Sequence, residues 1–159
     1  MTPRFENLAA KTLVGLRRRM SLADDRTAAL WGAFMPLRHV IGGRVGEELL
    51  SLQVYAPGYF EAFSPHTEFE KWAAVEVPAG AAVPAGLAAF HLPGGLYAVF
   101  EHRGGPRTGP QTFAYLFGTW LPASGYRLDD RPHFEVLGNK YNGGAADSEE
   151  EIWIPIKPK

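Results

Sequence analysis

Cysteine is missing from this chain altogether. That excludes a disulfide framework, a thiol nucleophile and a thiolate metal site together. No apolar run approaches the roughly 20 residues that a membrane-spanning helix needs. The opening Met1-Thr2-Pro3-Arg4-Phe5-Glu6 also lacks the basic-then-apolar order of a signal peptide. A cytoplasmic protein with no membrane contact is therefore expected. An excess of charge is missing too, since 16 Lys and Arg stand against 17 Asp and Glu for a net charge of −1. Nucleic-acid binders normally carry a basic surface that displaces counterions, so direct nucleic-acid binding is not expected. Arg17-Arg18-Arg19, the one basic cluster, reads as strand, where successive side chains point to opposite faces and form no common patch. The five histidines show none of the tight pairing of a metal site, so neither a metal nor a cofactor is expected. Gly104-Gly105-Pro106-Arg107 reads as a loop because no Gly-Lys-Ser/Thr follows it, and no serine sits in a nucleophile elbow.

What is present is ordinary globular composition, 46% apolar over 159 residues, which suits one domain over residues 1–159 with a real core. The chain also carries an internal echo. Phe113, Leu116, Phe117 and Trp120 fall at helical spacing and make one apolar stripe. Tyr115-Leu116-Phe117-Gly118-Thr119-Trp120-Leu121-Pro122 overlays Ala29-Leu30-Trp31-Gly32-Ala33-Phe34-Met35-Pro36 at an offset of 86. A repeat of about half the chain is a duplication rather than a solenoid.

In order, Lys11 to Leu22 predicts a long strand, and Asp24 or Asp25 caps a helix through Leu37. Strands follow at Leu49 to Tyr55 and Phe69 to Val77. The small-residue, proline-punctuated stretch from Pro78 to Gly86 is a connector. Leu87 to His91 and Leu96 to Arg103 predict a hairpin or one bent strand. A loop over residues 104–109 then leads into the second helix, which ends at Pro122. Arg131 to Leu137 repeats the Leu49 strand at an offset of 82, a loop covers residues 139–147, and Glu149 to Ile156 closes the chain. Two pseudo-repeats, about 8–77 and 86–156, thus predict an α+β fold: a duplicated β-α-β-β unit forming an antiparallel-rich sheet with both helices on one face.

Strand alternation assigns Leu50, Leu52, Val54, Phe69, Val75, Val77, Phe134 and Val136 to the helix side. Gln53, Tyr55, Trp72, Glu76, Glu135, Glu151 and Trp153 fall on the other, uncovered side. Aromatic rings and carboxylates on an open sheet face predict a cleft for an apolar or cationic organic molecule.

Trp120-Leu121-Pro122 with Ser124-Gly125-Tyr126, then Arg131-Pro132-His133-Phe134-Glu135-Val136, then Glu151-Ile152-Trp153-Ile154-Pro155-Ile156 resemble the GyrI-like family. Its members are effector-binding domains attached to AraC- and MerR-type transcription regulators and also found alone. The match is specific over Tyr97 to Ile156 and weaker over residues 8 to 77. The resemblance implies a duplicated (SHS2-type) fold with a ligand groove between the halves that takes lipophilic, often cationic, compounds in the manner of multidrug binders. It places the acid of the Pro-x-Phe-Glu motif, Glu135, in the pocket, with Trp153 and an aromatic of the first half, Trp72, beside it. The candidate ligand-binding set is Glu135, Trp72, Trp153, Tyr55, Trp120, Glu151 and Tyr97. Because Lys11 to Leu22 reads as strand, no helix-turn-helix is expected before the domain, and a stand-alone small-molecule-binding protein is the leading reading. One alternative is a hydrolase of electrophilic cyclopropane-type compounds, with Glu135 or Glu151 as general acid or base. Another is an inhibitor of gyrase. A homodimer, a regulator or gyrase remain open as protein partners.

Overall fold

The structure is a computed structural model and describes residues 1–103, 109–138 and 149–159. Its elements are β1 (Arg4–Leu8), β2 (Lys11–Met20), α1 (Thr27–Leu37), β3 (Leu49–Val54), β4 (Phe69–Val77), β5 (Ala88–Leu92), β6 (Gly95–Arg103), α2 (Gly109–Tyr115), α3 (Leu121–Ala123), β7 (Tyr126–Leu128), β8 (His133–Leu137) and β9 (Glu149–Pro158). A single 3-10 turn, Arg38–Val40, extends α1, and a π-helical turn, Leu116–Trp120, joins α2 to α3 into one continuous rod. The Asp25 carboxylate accepts from the Thr27 backbone N–H at 2.9 Å, which meets one of the unpaired donors of the first turn of α1. β1 and β7 were not read from the sequence. Residues 104–108 of the loop expected over 104–109, including all of Gly104-Gly105-Pro106-Arg107, and the loop expected over 139–147 lie outside the described residues.

Among the described residues nine strands form an antiparallel sheet, in the order β1-β6-β9-β8-β3-β4-β2-β5, with β7 paired to β9. The two halves meet at β3 and β8, where Ser51 pairs with Glu135 and Gln53 with His133. These pairs interchange under the offset of 82, which puts a pseudo-twofold axis between the two central strands. The outermost strands are exchanged between halves: β1 precedes the first unit but pairs with β6 of the second, and β5 precedes the second but pairs with β2 of the first. The hairpin expected between β5 and β6 therefore does not form. Only residues 9–10 and 93–94 connect strands at opposite ends of the order, so the sheet must curl until its ends meet. The closure is tight, since a Cβ on Gly94 would lie 2.5 Å from the Leu8 carbonyl oxygen.

Register separates the faces. Leu16, Ala73, Ser51, Glu135, Ile152 and Phe100 make one row across the sheet. Arg17, Trp72, Leu52, Phe134, Trp153 and Val99 make the next row, and cross-strand partners share a face. Leu30 and Phe34 of α1 pack on Val14, Met20, Phe69, Ala73, Val75 and Val77. Leu116 packs on Ala98, Phe100, Ile152, Ile154 and Ile156. Both helical segments thus cover the face of the first row. The second row lies in a separate core, Leu13, Leu50, Leu52, Trp72, Ala74, Leu92, Tyr97, Val99, Phe134 and Val136, which the curled sheet closes on itself. The helix-free face is not an open face.

This overturns part of the strand assignment made from alternation. The apolar sets of β4 and β9 do face the helices. Those of β3 and β8 face the curled core instead, because a buried second face takes Leu50, Leu52, Phe134 and Val136 and leaves Ser51, Gln53, His133 and Glu135 between the helices. Close approach also governs β2: a Cβ on Gly15 would lie 2.0 Å from the Ala73 carbonyl oxygen and 2.7 Å from Ala74 Cα. Backbone cannot yield as a side-chain tip can, so Gly15→Ala is expected to cost about 1–3 kcal/mol. An unchanged melting temperature would contradict this packing.

Candidate functional site

β3 and β8 carry the polar floor between the helices. Ser51, Gln53 and His133 are buried there, and Glu135 stands among them. Glu135 keeps some exposure as a residue, yet its Oε2 is shut off from solvent and has no hydrogen-bond partner among the described residues. Burial pushes its carboxyl up to about 7; the Lys71 ammonium pulls it down, the Glu150 carboxylate pushes it up and hydrogen bonding to Gln53 pulls it down. Burial also drives His133 down to about 3, so its imidazole is neutral. Glu150 is raised mainly by burial, against the pull of His102 and Lys71. His102 in turn meets Thr112 of α2, with Nδ1 and Oγ1 2.9 Å apart. On the other side Lys71 Nζ donates to Thr27 Oγ1 at 3.0 Å. Polar side chains thus cross the groove from the start of α1 to the start of α2.

One end of this floor is walled by rings from both halves. Tyr55 meets His133 edge-on at 5.0 Å. Phe60, carried by the segment after β3, stacks on His133 at 5.3 Å and on Phe117 at 5.7 Å. Phe117 belongs to the π-helical turn, so the wall closes across the junction of the repeats. Burial, with the Glu135 charge adding to it, raises the Tyr55 hydroxyl well above its usual range, and the ring stays neutral. Beyond this wall lies a cavity of about 420 Å³ whose lining includes Tyr55, Tyr59, Phe60, His133, Tyr126 and Arg131.

The residues predicted from sequence separate into three places. Glu135 and Tyr55 lie in the groove, with Gln53. Trp72, Glu76, Glu151 and Trp153 lie on the opposite face, so the expected common surface does not exist. Trp72 is 1% exposed, its indole N–H donates to Glu70 at 2.7 Å, and Arg17 stacks over the ring at 5.7 Å. The second half repeats the arrangement: Trp153 donates to Glu151 at 3.2 Å under Arg4 at 5.8 Å. Glu151 also pairs with Arg4 at 2.7 Å and shares no cleft with Glu135. Tyr97 is fully buried, donates to the Pro132 carbonyl oxygen at 2.8 Å, lies beneath the Arg131 guanidinium at 4.7 Å and is pushed up to about 12 by burial. Trp120 packs edge-on against Phe100 at 5.1 Å, within the core under the second helix. Sequence reading passed over Lys71, Phe60, Phe117, Glu150 and Ser51. Alternation along β3 puts Ser51 on the face of Gln53, and alternation along β4 puts Lys71 on the face of Phe69, whereas Phe60 and Phe117 reach His133 only through the tertiary fold.

Two strand-exchanged β-α-β-β units, with their helices on one face and an acidic floor between them, define a duplicated α+β domain with a central groove. The chain belongs to the family of GyrI-like small molecule binding domains, which it matches over residues 1–157. It is 29% identical over 157 residues to the transcriptional regulator BrlR of Pseudomonas aeruginosa, covering 98% of this chain and 56% of BrlR. The chain therefore spans little more than half the length of that relative. Among solved structures it resembles SAV2435 bound to tetraphenylphosphonium, with a TM-score of 0.77, 21% identity and coverage of 99% of this chain and 94% of that one. It also resembles the C-terminal domain of EcmrR, with a TM-score of 0.72, 12% identity and coverage of 99% and 98%. No helix among the described residues is long and apolar enough to cross a membrane.

Proposed function

We propose that this domain binds lipophilic organic cations in the groove between its helices, with Glu135 as the charged anchor and Tyr55, Phe60, Phe117 and His133 as the ring wall. The carrying observation is the buried Oε2 of Glu135, unpartnered among the described residues. A buried carboxylate oxygen without a partner is destabilising, and a cation arriving beside it offsets that penalty. Aromatic faces add about 0.5–2 kcal/mol each when the cation is desolvated. The solved complex of SAV2435 with tetraphenylphosphonium supports the reading, because that ligand unites a cation with a fully apolar surface. Contact with DNA is not assigned to this domain, whose net charge of −1 offers little to a phosphate backbone.

The test exploits charge at constant shape. Tetraphenylphosphonium and tetraphenylborate have nearly the same outline and opposite charge. Calorimetric titration is expected to show the cation binding at least about a hundredfold tighter, roughly 2.7 kcal/mol. Equal affinities would refute the role of Glu135.

A further inference from the structure

Lys71 stands on β4 in the row that crosses Gln53 and His133, on the helix side of the sheet. It makes no ion pair among the described residues. Its ammonium is instead tethered to Thr27 at the first turn of α1, and Thr27 is bonded in turn to Asp25. The charged and titratable groups around it are Asp25 from the start of α1, Glu135 from β8 and Glu150 from β9. His102 from β6 lies beside Glu150, while Tyr55 and the buried, neutral His133 complete the floor. Among the described residues three carboxylates thus act on this one tethered ammonium.

We propose that Lys71 is a specificity-determining residue of the groove: its tethered ammonium offsets part of the charge of Asp25, Glu135 and Glu150 and shifts selectivity from dications toward singly charged cations. The proposal rests on the cation-binding reading above and names the ligand charge that reading leaves open. The tether is central to it. A lysine free to swing onto Glu135 would occupy the anchor, whereas one held by Thr27 repels every incoming cation in proportion to the ligand's charge. That proportionality makes the claim measurable. Removing the ammonium helps a dication by twice as much as a monocation, in free energy, at equal distance. It also alters how much Glu135 is ionised, but this factor is common to both ligands and cancels in their affinity ratio.

The experiment compares methyl viologen, a flat dication, with N-methyl-para-phenylpyridinium, a flat monocation of nearly the same outline, at about pH 8. In Lys71→Met and Lys71→Gln the dication-to-monocation affinity ratio is expected to rise about tenfold over wild type. In Lys71→Arg, which keeps the charge, it is expected to stay put. A change below about threefold in both neutral variants, or an equal rise in Lys71→Arg, overturns the proposal. Glu135→Gln separates the two levels of inference. If it weakens the monocation while the Lys71 variants leave the ratio alone, only the selector role fails. If it leaves the monocation unaffected, the cation groove and the selector fall together.

Discussion

Glu135→Gln is expected to weaken tetraphenylphosphonium binding by about a hundredfold and to abolish its dependence on pH near neutrality. The first effect follows from removing the partner of a desolvated charge, which costs about 2–5 kcal/mol. The second follows from the carboxyl that burial has pushed up to about 7. A cation favours the ionised form, so wild-type affinity rises with pH up to about 7, by as much as tenfold per unit on the acid side, and then levels off. Binding near neutrality therefore releases a proton, which calorimetry in buffers of different ionisation enthalpy reads directly.

The same group has the opposite sign for the empty protein. Its folded-state value lies above its unfolded one, so the folded chain holds the proton more tightly. Stability is then lost as pH rises from about 4.5 to about 7, by up to about 3 kcal/mol, and stays lower above that window. Glu135→Gln removes the loss and is expected to melt higher than wild type above neutrality while binding worse. A variant that binds worse and also melts lower at pH 8 would show that Glu135 supports the fold instead.

Trp72→Ala is expected to do the reverse: to cost about 3–5 kcal/mol of stability while leaving cation affinity in the surviving folded protein unchanged. The indole is buried at 1% exposure between Leu52 and Phe90, with ring centroids of Trp72 and Phe90 5.3 Å apart. It lies in the row that faces away from Glu135. Thermal melting with parallel titration below the transition distinguishes the outcomes. Loss of binding with an unchanged melting temperature would return Trp72 to the ligand site.

Much of this architecture was legible along the chain because helix and strand periodicities are local. The echo of Leu30-Trp31-Gly32 in Leu116-Phe117-Gly118 marked two helices whose Leu30 and Leu116 occupy matching cores. The offset of 82 that carries Gln53 onto Glu135 relates β3 to β8 as repeats, and the two pair antiparallel with Ser51 opposite Glu135 and Gln53 opposite His133. The family followed from the motifs around Glu135 and Trp153, and the match over residues 1–157 bears it out.

The groove was only half legible. Alternation shows that Phe134 and Glu135 point to opposite sides, but it cannot show which side a helix covers. Assigning the apolar residues of every strand to the helices assumes that the second face is open. The strand exchange of β1 and β5 removes that assumption, because it curls the sheet and makes its helix-free face a core.

The amino-acid order by itself determined the two helices and the alternating strands, which are set by neighbours a few positions apart, and the duplication, which shows as a repeat at offsets of 82 and 86. Only the tertiary structure decided that Trp72 and Trp153 pack against the curled core, that Phe60 and Phe117 meet over His133, and that Lys71 is held at Thr27 in the field of Asp25, Glu135 and Glu150. Those outcomes depend on which strands pair at the ends of the sheet, and that pairing is fixed by burying both faces at once.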